Sequence, residues 1–324
     1  MTSRSTLAVV IPIFNEEAVL PRLFERMRTV CDSLENIDWT VIFVNDGSRD
    51  RSVALIMAER EREPRFVLVE LSRNFGHQPA ISAGLAHADA DAVVIIDGDL
   101  QDPPEVIRQL VDAWRDGAQV VLPVRRSRQE SGLRRVGMDV FHSVFTWISD
   151  FDFEGQTGVF GLLDRRAVHE FNQLHERNRF IPGLRAWIGF EQRKVLYDRA
   201  ERAAGEPKQT FRRLIRYAMD GIISFSLKPL RYMAFAGLII SVTGFLLASV
   251  FVVKRLLGIE GAQTGFTTLV TLVLFLGGVQ LMGIGLLGEY LGRTYDETKQ
   301  RPLYIVKNRH GIAPPAIQPN ASTP

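Results

Sequence analysis

With 324 residues, the chain is long enough for about two domain-sized units. Hydrophobic residues make up 46% and charged residues 23%, which excludes a disordered chain, and a net charge of +2 gives no electrostatic footprint for nucleic acid. One cysteine, Cys31, excludes a disulfide framework or a thiolate metal cluster and accords with a reducing compartment.

Met1–Val10 shows no apolar stretch of signal-peptide type before the first strand-like run. From there β-branched runs alternate with amphipathic stretches. Leu7–Ile13, Thr40–Asn45, Phe66–Leu71, Ala92–Asp97 and Gln119–Val124 read as strands, with helices near 18–35, 51–63, 78–88 and 104–116. Strands separated by helices predict an α/β, Rossmann-like domain around a mostly parallel sheet. Ligands of such sheets bind beyond the carboxyl ends of the strands. That rule selects Phe14–Glu17, Asp46–Asp50, Ser72–Gln78 and Asp97–Pro104, four polar loops on one expected edge.

A single aspartate at a strand end is usually a turn former or an N-cap. Four polar loops on one edge, with Asp97 and Asp99 separated by Gly98, point instead to a site. Two carboxylates at that spacing can converge on Mg²⁺ or Mn²⁺, which take oxygen ligands and bridge protein carboxylates to phosphates. The chain has no Walker A sequence and no Gly-x-Gly-x-x-Gly after its first strand, so ATPase and dinucleotide readings lose their support.

Further along, Leu133, Val136, Val140, Phe141, Val144, Phe145 and Ile148 share one helical face. Phe211, Leu214, Ile215, Ala218, Met219, Ile222 and Ile223 repeat the pattern beside Arg212, Arg213 and Arg216. Both stretches are expected to lie in a membrane interface. Tyr232–Val253 and Gly261–Gly288 carry no charge, and between Tyr232 and Gly288 the only charged residues are Lys254, Arg255 and Glu260. Each run is long enough to span a bilayer. Arg212, Arg213, Arg216, Lys228 and Arg231 precede the pair and Arg293, Lys299, Arg301, Lys307 and Arg309 follow it, which predicts a multi-pass protein of the cytoplasmic membrane with both termini inside. Gly288 and Gly292, four residues apart, would allow close packing of spans and a homo-oligomer. The tail beyond Gly311, with Pro314, Pro315 and Pro319, reads as disordered.

The four loops, with Leu286-Leu287-Gly288-Glu289-Tyr290-Leu291-Gly292-Arg293, resemble those of family 2 glycosyltransferases of the polyisoprenyl-phosphate type, over roughly residues 7–308. That group includes dolichol-phosphate mannose synthase and the undecaprenyl-phosphate glucosyl- and aminoarabinose transferases. The resemblance implies a GT-A catalytic domain over 1–210 with an interfacial helix at 133–148. A juxtamembrane helix over 211–230, a transmembrane hairpin over 231–290 and a cytoplasmic tail over 291–324 would follow. It implies inverting transfer of one sugar from a nucleotide sugar, UDP-glucose or a UDP-pentose ahead of a mannose donor, to undecaprenyl phosphate. It makes Pro12, Phe14 and Glu16 walls of the nucleotide pocket, and it places Val44 and Asp46 on the base, Asp46 accepting from a ring N–H. Asp97, Asp99 and Gln101 would hold Mg²⁺ or Mn²⁺ on the diphosphate, beside Gly98, and Arg125, Arg202 and Lys208 would face the phosphates. Without the resemblance, the loop holding Arg202 and Lys208 reads equally as a solvated basic linker.

One departure stands out. Where many members carry Asp-x-Gly-Asp-Phe-Arg, this chain reads Gln156-Thr157-Gly158-Val159-Phe160-Gly161, without the acids and the arginine. Asp152 and Glu154 lie close by at the wrong spacing. A phosphate-monoester acceptor, with a second pKa of about 6, is already ionised at neutral pH and needs little help from a base. The missing acids keep open a membrane-anchored inactive paralogue. A processive polysaccharide synthase is the other alternative, disfavoured because Leu184-Arg185-Ala186-Trp187 is not the Gln-x-x-Arg-Trp acceptor motif. Cys31, His77 and Trp187 read as packing or loop residues, His77 without a visible partner.

Overall fold

The first strand, β1 (Ser5–Ile13), is apolar at nearly every position, as a strand covered on both faces must be. In the computed structural model, which describes residues 4–125, 158–177, 179–197, 226–257 and 265–315, it lies at the centre of an eight-stranded sheet. Residues 133–148, 152, 154, 156–157 and 198–225 lie outside the described residues, and with them both expected interfacial helices, Arg202 and Lys208.

β1 pairs in parallel with β2 (Ile37–Asn45) and with β4 (Ala92–Ile95), and β2 in parallel with β3 (Phe66–Leu71). The order reverses between β1 and β4, the switch point where α/β sheets bind ligands. Helices α1 (Leu20–Asp32), α2 (Ser52–Arg62), α3 (His77–His87) and α4 (Val106–Arg115) join these strands as the periodicity predicts. Leu20, Leu23, Phe24, Met27, Val30 and Cys31 form the buried stripe of α1. The ring of Phe24 meets that of Phe43 edge-on at 5.5 Å, and Phe43 meets Phe66 at 5.4 Å, so aromatic contacts join β2 and β3 to this helix. α3 packs on the opposite face: a Cβ added at Gly84 would lie 2.2 Å from Val10 Cγ1, so glycine sets how closely helix and sheet approach.

Beyond β4 the sheet is mixed rather than simply parallel. β6 (Gly161–Asp164) runs antiparallel between β4 and β5 (Val120–Arg125), and β5 pairs in parallel with β7 (Gln192–Tyr197). The two antiparallel steps return β5 to the direction of β4, so its carboxyl end, with Arg125 as its last residue, shares the edge of the four loops. α5 (Arg165–Gln173) and α6 (Ile181–Trp187) complete this side.

The other compact unit holds α7 (Lys228–Leu256) and α8 (Gly265–Thr298), both long and apolar enough to cross a membrane. Phe235, Phe245, Leu281 and Met282 are exposed on them. The Tyr290 hydroxyl donates to the Ser226 carbonyl at 2.7 Å, and Met233 lies against Gly283. α8 continues ten residues past the uncharged run that ends at Gly288.

The chain after α8 also differs from a plain tail. Val306–His310 forms β8, antiparallel to β3 on the sheet edge. Its side chains, mostly polar, are held by polar partners. Asn308 donates to Glu70 at 3.2 Å, His310 Nε2 lies 2.7 Å from the same carboxylate, and Arg309 donates to His87 Nε2 at 3.0 Å. Burial lowers the His87 pKa, against the raising effect of its hydrogen bond to the Ala83 carbonyl, and nearby Arg309 adds to the lowering.

Candidate active site

The loops after β1 and β2 are laced together by side chain-to-backbone hydrogen bonds. Asn15 N–H donates to Ser48 Oγ at 3.0 Å, Arg49 N–H to Asn15 Oδ1 at 2.8 Å, and Glu17 N–H to Asp50 Oδ2 at 3.0 Å. Asn15 adopts φ +56°, which an asparagine tolerates better than most residues. Phe14 is left exposed at the mouth of the site, whereas Pro12 is buried. Glu16 begins the turn into α1, its carbonyl accepting from Val19 and Leu20 N–H.

Asp46 joins this pair of loops to the third. It is buried, and its two carboxylate oxygens accept from Phe75 N–H at 2.7 Å and Gly76 N–H at 2.9 Å. Burial raises its pKa, against the lowering effect of the two N–H groups, His77 and Arg73. Gly47, at φ +71°, lets the loops meet: a Cβ there would fall 2.6 Å from Asn74 N. The carboxylate expected on a nucleotide base is thus first of all the clamp of the Ser72–Gly76 loop.

Val44 requires a correction. It is fully buried, and its Cγ2 lies 3.1 Å from the position of a Cβ on Gly84. Its side chain fills the space between sheet and α3 and offers no surface to a base. β2 is covered on both faces, so its apolar run could not show which side chains turn towards the loops.

After β4, Gly98 brings the acidic loop against β1, since a Cβ there would lie 2.7 Å from Ile13 Cδ1 and 3.3 Å from the Pro12 carbonyl. Asp99 Oδ1 accepts from Gln101 N–H at 3.0 Å, and Leu100 adopts φ +58°, a strained value of the kind held at functional sites. The loop's far end is fixed by Asp102, which accepts from the Tyr197 hydroxyl at 2.6 Å.

The reading of His77 as partnerless is also overturned. Its Nε2 lies 2.9 Å from Asp97 Oδ1, with the two side chains 47% and 34% exposed, so the ring reaches the first acidic ligand candidate. Partial burial lowers its pKa, but the Asp97 hydrogen bond and the charges of Asp97, Asp46 and Asp99 outweigh that and leave it raised. Twenty positions separate the two residues, and no local pattern links them. Sequence reasoning also missed Tyr197 and Arg185. The buried Arg185 donates to the Gly158 carbonyl at 3.1 Å and packs against Gly161, which holds the described end of the segment that lacks the family acids.

Among the described residues no three His, Cys, Asp or Glu side chains form a ready cation cage. The two carboxylates and the Gln101 amide carried by this one loop are hard oxygen donors. They suit Mg²⁺ or Mn²⁺ arriving with a diphosphate, because such ions commonly take only one or two protein carboxylates.

The mixed α/β sheet, with the acidic loop at its switch point, is that of a GT-A-like protein. The chain belongs to glycosyl transferase family 2, whose profile matches residues 8–169. It is 43% identical over 308 residues to an uncharacterized glycosyltransferase of Synechocystis sp. PCC 6803, covering 94% of this chain and 96% of the relative. It is 41% identical over 303 residues to the bactoprenol glucosyl transferase of Shigella phage SfV, covering 93% and 98%. A mannosyltransferase from Pyrobaculum calidifontis, solved with GDP-Man and Mn²⁺, aligns more loosely, at 15% identity and a TM-score of 0.40 over 87% of this chain and 88% of that one.

Proposed function

We propose that this glycosyltransferase moves one glucose from UDP-glucose to undecaprenyl (bactoprenyl) phosphate at the cytoplasmic face of a membrane. The observation that carries this reading is the near full-length similarity to the bactoprenol glucosyl transferase of phage SfV, two long apolar helices included. That similarity favours single-sugar transfer over a processive synthase.

In this reading the exposed ring of Phe14 offers a face to the uracil, while the Asp46 clamp holds the surrounding loops in place before substrate arrives. Asp97, Asp99 and Gln101 would hold the cation, on a loop that Gly98 keeps close to β1. A bound Mg²⁺ or Mn²⁺ would neutralise charge on the departing UDP. Arg125, Arg202 and Lys208 would bind phosphates of donor and acceptor through charge-assisted hydrogen bonds. An oxygen of the lipid phosphate attacks the anomeric carbon as the bond to UDP breaks, which inverts the configuration. Because that phosphate is largely ionised above about pH 6, no protein base is required. The basic flanks of the hairpin support a cytoplasmic catalytic domain.

The test incubates purified protein and undecaprenyl phosphate with Mg²⁺ or Mn²⁺ and a panel of nucleotide sugars, and weighs the lipid product. A mass gain of one hexose from UDP-glucose is expected. Product from a different donor would overturn the assignment of glucose, and no product from any donor would overturn the transferase reading of the acceptor.

A further inference from the structure

A carboxylate ligand on a loop binds a cation well only when its orientation is fixed, and that is commonly done by a hydrogen bond from a neighbouring side chain to its other oxygen. Asp97 has such a partner. His77 Nε2 lies 2.9 Å from Asp97 Oδ1, and among the described residues no hydrogen bond is made to Oδ2. The imidazole is itself delivered by a constrained backbone. His77 is the first residue of α3, Gly76 before it turns the chain at φ +106°, and the N–H groups of Phe75 and Gly76 are both gripped by Asp46. Three loops of the site thus converge through Asp46 and His77 on Asp97.

We propose that His77 is a positioning residue for the cation: it donates Nε2–H to Asp97 Oδ1 and so presents Oδ2 to the metal that accompanies the donor diphosphate. This inference rests on the metal reading of Asp97 and Asp99 above. His77 touches neither the sugar nor the reacting oxygen. Its removal raises the metal concentration the enzyme needs and leaves turnover at saturating metal largely intact.

The experiment titrates Mn²⁺ into the full-length protein in detergent with UDP present, following free Mn²⁺ by electron paramagnetic resonance. Wild type is compared with His77→Ala, His77→Gln and Asp97→Asn. Loss of an outer-shell partner of this kind typically weakens metal binding about 10–100-fold, and that range is expected for His77→Ala. His77→Gln, whose amide nitrogen can take the place of Nε2, should recover most of the affinity. The melting temperatures of both variants should match wild type, because His77 is exposed at a helix start and fills no core space. In the transfer assay, His77→Ala should show a raised KM for Mn²⁺ with kcat retained.

If Asp97→Asn loses Mn²⁺ while His77→Ala binds it like wild type, the positioning role is wrong and the metal site stands. If Asp97→Asn binds Mn²⁺ unchanged, the metal reading fails and this inference with it. Equal weakening in the Ala and Gln variants with lowered melting temperatures would mark His77 as merely structural and overturn the proposal.

Discussion

Replacing Asp46 with Asn separates two roles for this carboxylate, a contact to the base and a clamp on the loop after β3. The buried side chain now accepts one N–H on each oxygen, from Phe75 at 2.7 Å and Gly76 at 2.9 Å. Asparagine retains one acceptor and sets an NH₂ donor against the other N–H. A hydrogen bond to a charged group contributes about 1.5–3 kcal/mol, and a stranded buried N–H costs a similar amount. Part of this is offset, because burial already penalises the ionised Asp46 and the amide relieves that penalty. The net weakening of loop closure is therefore about 1–2 kcal/mol, or about 5–30-fold in the open population. Hydrogen exchange measured on a peptide spanning 73–77 should accelerate by that factor in Asp46→Asn without UDP present, and UDP affinity should fall by a comparable amount. Unchanged exchange together with lost UDP binding would refute the clamp and leave Asp46 as a base contact alone.

Three further outcomes are expected. Gly84→Ala should lower the melting temperature, since a methyl 2.2 Å from Val10 Cγ1 overpacks the α3–sheet contact by about 1–3 kcal/mol, and adding Val10→Ala should restore part of the loss. Asp91 accepts from the N–H and hydroxyl of Thr6, which hold its pKa below the ordinary 3.8, with Arg165 adding to the effect. A depressed folded-state value contributes stability above pH 3.8 that is lost as pH falls through the folded value, so melting curves of Asp91→Asn should be less acid-sensitive there than wild type. For orientation, Gln263→Cys should be labelled from outside intact cells by an impermeant maleimide. Cys31 should stay silent, its buried thiol pushed up to about 12; failure to label Gln263→Cys alongside outside labelling of the catalytic domain would reverse the topology.

How much was legible follows from the range of each interaction. The four helices before β5, the first five strands and the two long apolar helices are written in local periodicity and uncharged length, which depend on residues within a few positions of one another. The four loops were recognisable as a site because α/β connectivity alone places them on one edge. Asp97 and Asp99, two residues apart around Gly98, suggested a cation-binding pair by residue type and spacing, whereas Gln101 joined them only through the family resemblance. By itself the sequence therefore determined the α/β framework, the edge on which the four polar loops gather and the membrane-spanning potential of the two apolar runs.

The tertiary structure decided what depends on pairing across distance. Val44 belongs to the core because β2 is buried on both faces, and a continuous apolar run does not reveal which face meets the loops. Val306–His310 has little apolar pattern, and it becomes β8 because Glu70 and His87, more than 200 positions away, provide partners for its polar side chains. Asp46 is a clamp only because β2 and β3 are neighbours, which brings their following loops together. His77 acquires Asp97, and Tyr197 acquires Asp102, for the same reason: hydrogen-bond partners are chosen by spatial approach within about 3 Å, and the order of strands in the sheet sets that approach.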